Sequence, residues 1–243
     1  MHRLTRLASV ALAVAFTAPA LAQHDHDHDD DHPDIEVELD GLDIGYHPEE
    51  YNLKVSHENY AFTKPSSVWR ATFPGFEGEN LGNTRTFDLV SVGPLYEYDD
   101  GQPDGSKFVA AVNEFVRIID AGVAGQIDVT GTSTTQTLDD GVGTTNTSGV
   151  LHQHPVFQLR TDLSGDPDDG AYLLELQIAS TGLNTSPSFW VLFHKGLDDA
   201  TYDFAIHEAE EQFGLTVIPE PASLALLGAG ALMMGLRRRG CAA

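Results

Sequence analysis

The sequence predicts an all-β fold, an antiparallel sandwich or jelly-roll-like arrangement, with one C-terminal amphipathic helix. Three observations carry this. Apolar and polar residues alternate at period two in short runs, Gly-, Asp- and Asn-rich turns separate the runs, and a helical period appears once, after Asp199. Short strands at regular spacing favour sheets packed face to face over a parallel α/β arrangement.

Met1 to Arg6 supplies two arginines, Leu7 to Ala18 is apolar, and Ala20-Leu21-Ala22 has the small-x-small pattern of a signal-peptidase site. Residues 1–22 therefore read as a secretory signal outside the fold. The exported chain then opens with Gln23-His24-Asp25-His26-Asp27-His28-Asp29-Asp30-Asp31-His32. This run cannot form a core and is read as a solvated, disordered tail. Its alternating imidazoles and carboxylates are a compositional signal for capture of zinc or nickel by His24, His26 and His28.

Residues 33–216 are read as one β-sandwich domain, long enough to bury a sizeable core. Ile35, Val37 and Leu39 alternate with Glu36, Glu38 and Asp40 as a half-buried strand, and Asp40-Gly41 is a turn. Leu53 to His57 alternates again, which puts His57 on the face shared by Leu53 and Val55. Val68 to Phe73, Thr86 to Val92, Tyr96 to Tyr98 and Phe108 to Ile119 supply further strands, and Thr-rich Gln126 to Leu138 another. Asp139 to Ser148 is read as a mobile loop. Asp162 to Gly170 is a turn whose aspartates miss the spacing of a calcium loop. Ala171 to Ile178 is apolar enough for a central strand, and Ser188 to His194 is a second. Tyr202, Ala205, Ile206, Ala209 and Phe213 recur at helical spacing, with a cap at Asp198 or Asp199 and a stop at Gly214; this helix is expected to cover an edge or end of a sheet.

Val217-Ile218-Pro219-Glu220-Pro221 precedes an apolar segment, Ala222 to Leu236, and then Arg237-Arg238-Arg239. This order resembles the PEP-CTERM sorting signal of Gram-negative bacteria, in which a Pro-Glu-Pro motif, a hydrophobic helix and a basic cluster direct a protein to an exosortase. The resemblance implies that residues 217–243 are a sorting signal and that the protein is exported to the outer surface or extracellular matrix. Contact with the membrane is then confined to a transmembrane helix that precedes processing.

Of thirteen basic residues, five lie in the terminal signals, leaving eight; of thirty-seven acidic residues, all but Glu220 lie between Asp25 and Glu211. Such a surface repels nucleic acid and attracts divalent cations, so no nucleic-acid partner is expected. The one cysteine, Cys241, follows the arginine cluster, so the domain has neither a disulfide nor a thiolate site.

The chemistry concentrates in Gly149-Val150-Leu151-His152-Gln153-His154-Pro155-Val156-Phe157. Residues two apart on a strand share a face, so His152 and His154 offer two imidazoles to one ion. A closed zinc site needs three or four ligands, and the other half must come from elsewhere. His57 and His32 are the first candidates, Asp34 can ligate or orient a ligand, and His194 is the reserve, although a lone histidine ending an aromatic strand more often serves the core.

His32-Pro33-Asp34-Ile35, Leu53 to Glu58, Val92-Gly93-Pro94, Gly149 to His154 with Phe157, and Gly170-Ala171-Tyr172 occur in an order that resembles choice-of-anchor M surface proteins and related PEP-CTERM proteins repressed by the zinc-uptake regulator. The resemblance implies an extracytoplasmic β-rich domain that handles zinc, and points to His32, His57, His152 and His154. The expected function is thus a non-enzymatic surface protein that binds zinc through the tail and an ordered histidine site. The alternatives are a structural or adhesive surface protein without a specific site, and a cupin-type metalloenzyme. Against the enzyme, no carboxylate follows His154 at short spacing, and no hydrolase, zincin or phosphate-loop motif is present.

Overall fold

The computed structural model describes residues 34–47, 52–56, 60–65, 67–101, 106–122 and 125–217. In chain order the strands are β1 (Ile35–Asp40), β2 (Asp43–His47), β3 (Leu53–Lys54), β4 (Trp69–Ala71), β5 (Phe76–Gly78), β6 (Thr86–Ser91), β7 (Tyr96–Tyr98) and β8 (Phe108–Ala110). They continue as β9 (Glu114–Ile119), β10 (Gln126–Thr130), β11 (Gln136–Thr144), β12 (Leu151–Gln153), β13 (Val156–Thr161), β14 (Gly170–Ala179) and β15 (Phe189–Lys195), followed by helix α1 (Asp199–Phe213).

The period-two pattern becomes three sheets. Two have four strands each, in the orders β12-β5-β1-β2 and β10-β9-β13-β4; the largest has the order β11-β6-β14-β15-β3, with β7 paired to β14 and β8 paired to β7. Ile35 and Val37, Phe157 and Leu159, and Leu174, Leu176, Phe189 and Phe193 all enter one core, so the two small sheets pack against one face of the large sheet. The other face buries Leu173 and Leu192 against Tyr202, Ala205 and Ala209 of α1. A strand covered on both sides has no solvent face to keep polar, which is why β14 reads as a nearly unbroken apolar run. The helix thus lies on a sheet face rather than at an edge. Asp198 Oδ1 accepts from the Thr201 amide and Gly214 closes the helix in the left-handed region at φ 67°, as the capping residues foretell.

Two local expectations are corrected. Asp139 to Thr144 is not a loop but the second half of β11, and its pairing with β6 shifts register between Leu138 and Gly143. Asp140 takes φ 57° there, and the bulge absorbs the turn-forming residues without ending the strand. Of the strand predicted from Leu53 to His57, the described residues Leu53 to Ser56 keep only Leu53 and Lys54, paired in parallel with Trp190 and Val191. His57, His32 and the tail residues His24, His26 and His28 lie outside the described residues, as does the apolar segment after Pro221. Among the described residues no helix is long and apolar enough to cross a membrane.

Candidate metal centre

His152 lies on β12 and His154 just beyond it, where the chain passes from one small sheet into β13 of the other. Antiparallel pairing sets His152 opposite Glu77 and Gln153 opposite Phe76 of β5. On the other side of β5, Ile35 and Glu36 of β1 pair with Phe76 and Glu77. One step further along this register, His154, Gly75 and Asp34 stand side by side at the sheet's end. The middle residue has no side chain, so its neighbours converge over it. A Cβ on Gly75 would lie 2.6 Å from the His154 ring and 2.7 Å from Asp34 Oδ1.

The convergence is tight. His152 Nε2 and His154 Nε2 are 3.1 Å apart, and they lie 3.6 and 3.5 Å from Asp34 Oδ2. Among the described residues these three form the one group of His, Cys, Asp and Glu ligand atoms gathered within 4.8 Å. A circle through the three atoms has a radius of about 2.0 Å, the length of a zinc–imidazole or zinc–carboxylate bond.

Two further hydrogen bonds orient the ligands. The Gly75 amide donates to Asp34 Oδ1 at 2.9 Å, which leaves Oδ2 facing the imidazoles. His154 Nδ1 lies 3.2 Å from the Thr72 carbonyl, which can only accept; the proton therefore sits on Nδ1, and the Nε2 lone pair points at the other two ligand atoms. The Phe73 ring packs edge-on against the His154 ring at 5.4 Å. The Asp34 side chain is 1% exposed and its Oδ2 is buried without a hydrogen-bond partner. A buried carboxylate oxygen left unpaired is costly, and a cation is what would satisfy it. The opposite side is open, since the His152 side chain is 59% exposed.

Tyr60 lies close enough to feel this carboxylate. Burial pushes its phenol well above the ordinary value, and the charges of Tyr202 and Asp34 raise it further. His194, by contrast, is not part of the cluster. Its ring packs against Tyr202 of α1, tilted by 34° with centroids 4.3 Å apart, and is buried. The sequence pairs His152 with His154 and names Asp34, but gives no sign of Gly75, whose part depends on the order β12-β5-β1.

The sequence profile of the PEP-CTERM protein-sorting motif matches residues 217–239. That motif marks an exported protein, recognised by exosortase sorting machinery and sorted to the cell surface of a Gram-negative-type bacterium. No curated protein matches the chain. The likeness to choice-of-anchor M proteins rests on its short motifs alone.

Proposed function

We propose that this exported surface protein binds a divalent transition metal, zinc by donor set and geometry, at Asp34, His152 and His154, and that its His/Asp tail also captures such ions. The single observation that carries the reading is the buried, unpartnered Asp34 Oδ2 aimed at two imidazole nitrogens. A tetrahedron with bonds of about 2.1 Å has edges of about 3.4 Å, close to the 3.1, 3.5 and 3.6 Å found. An octahedral shell of similar bond length needs edges of about 3.0 Å; the 3.1 Å edge is close to that, but the 3.5 and 3.6 Å edges are well beyond it. Two histidines and a carboxylate also form the ligand set of open iron sites, but the wider edges favour the tetrahedral ion.

Three protein ligands leave one position open. The sequence offers His57 and His32 as candidates for it, and both lie outside the described residues. No catalytic role is proposed; the finer location, outer surface or extracellular matrix, follows from the sorting motif by the same reading.

A chain starting at Pro33, without the tail or His32, should keep zinc-dependent thermal stabilisation, because an ion that binds only the folded state raises its stability. The His152→Ala, His154→Ala double variant of that chain should lose it. Equal zinc dependence in both would leave the structural reading, a surface protein with no specific site. The tail is tested separately: calorimetric zinc affinity of the full chain should exceed that of the Pro33 chain at pH 7.5, and the excess should vanish at pH 5, where protons take the imidazole nitrogens.

A further inference from the structure

We infer that the outer face of the sheet β10-β9-β13-β4 is a docking surface for an acidic polysaccharide, a chain of carboxylate-bearing sugars. Burial alternates along β9 and β13, so Phe115, Arg117 and Ile119 leave the core together, as do Val156, Gln158 and Arg160. Gln158 stands opposite Arg117 on one side and Arg70 on the other, and Arg117 stands opposite Asp128. One row thus crosses all four strands, and Arg160 lies diagonal to both other arginines.

The sign of this face opposes that of the molecule. The chain carries a formal charge of −24, yet three of the eight basic residues between its terminal signals are the arginines of this one face. Within the four strands its one carboxylate is Asp128, which holds Arg117 through two bonds of 2.6 and 2.8 Å. Arg160 is held by the Gln158 amide oxygen at 3.0 and 3.2 Å, which orients it without neutralising it. Arg70 is exposed. Among the described residues neither Arg70 nor Arg160 has a carboxylate partner.

The spacing suits an extended polyanion. Strands lie about 4.8 Å apart, which separates the Arg70 and Arg117 backbones by about 10 Å, and the diagonals to Arg160 are about 7–8 Å. Guanidinium forks bind carboxylates in bidentate fashion, and the half-buried Phe115, Ile119 and Val156 between them offer apolar surface to the C–H faces of sugar rings. At the rim, Trp69, Phe115, Arg160 and Thr161, with Asp166 already paired to Lys64, line an open cavity of about 200 Å³. It is smaller than the range of drug-sized sites and suits a single ring. A peptide would instead seek a sheet edge or an apolar anchor pocket, and the centre of this face is charged and lacks one.

None of these residues belongs to the metal site. Binding of polygalacturonate, dextran and polyglutamate to the full chain is measured calorimetrically at low and at high ionic strength. Polygalacturonate should bind, weaken with salt, and outbind both other polymers. An Arg70→Gln, Arg160→Gln variant with unchanged circular dichroism and zinc response should bind polygalacturonate about tenfold more weakly or worse. No binding at low salt, undiminished binding by the variant, or equal binding of polyglutamate would each overturn the assignment, the last in favour of an acidic protein partner.

Discussion

Gly75→Ala tests the metal site without touching a ligand. The added methyl carbon would sit 2.6 Å from two atoms of the His154 ring and 2.7 Å from Asp34 Oδ1. Carbon contacts are comfortable at about 3.5 Å or more, so the two sides must part by roughly 0.8–0.9 Å. That widens the 3.5 Å edge between His154 Nε2 and Asp34 Oδ2 beyond what one ion can span with normal bonds. Disturbing the groups that orient a metal's ligands costs about 10–100-fold in affinity. At a zinc concentration a hundredfold above the parent's Kd, the ion stabilises the parent by about 2.7 kcal/mol; a hundredfold weaker variant gains only about 0.4 kcal/mol. For a domain of this size the melting shifts are about 5–11 °C and 1–2 °C. The variant also loses about 1–3 kcal/mol in chelator from the strain itself, so the quantity compared is the zinc-dependent shift within each protein. A full parental shift in Gly75→Ala would refute an ion held over Gly75.

Three more outcomes are expected. Asp34→Asn should abolish the zinc-dependent shift yet melt no lower than the parent in chelator, because it removes a buried, unpaired carboxylate oxygen; calorimetry with and without zinc checks both. Glu97, raised to about 7 by burial and by the charges of Glu114, Asp168 and Asp99, binds more protons folded than unfolded between its ordinary value of 4.5 and about 7. Its contribution therefore falls as pH rises through that window, and Glu97→Gln should stabilise the protein at pH 8 and leave it unchanged at pH 4, as denaturant melts at the two pH values would show. Finally, intact-mass analysis of protein from its native host should show neither Met1 to Ala22 nor Arg237 to Arg239; a mature chain retaining Cys241 would contradict processing at the sorting motif.

What was legible in the sequence was what depends on neighbours along the chain. Period two places His152 beside His154, a cap at Asp198 or Asp199 and a stop at Gly214 bound α1, and the apolar run of β14 announces a central strand. What was not legible depends on which strands become neighbours. Asp34 lies 118 positions before His152 in the numbering, and they meet only because β5 pairs with β1 on one side and β12 on the other. Gly75 carries no chemistry of its own, so its part is invisible until its two neighbours are known. Composition misled at Asp139 to Thr144, where turn-forming residues sit within a bulged strand. His194 shows the opposite case: its aromatic surroundings point to the core, and Tyr202 is what it meets.

The junction at Val217 also decides how the molecule bears load. Val217 is the first residue matched by the sorting motif, and it forms a parallel bridge to Leu53. The Leu53 amide donates to the Thr216 carbonyl at 3.0 Å, and the Thr216 amide to Asn52 Oδ1 at 2.9 Å. Tension that reaches Val217 therefore enters folded structure at that residue. It passes through Asn52 and Leu53 into β3 and on to β15, inside the largest sheet. The parallel contacts place those bonds in shear, so several must yield together rather than one after another. From Val217 to Ala222 the backbone spans at most about 18 Å. A cut at the Pro-Glu-Pro motif, as the sorting signal implies, would fall within four residues of Val217, which is bridged to the folded sheet.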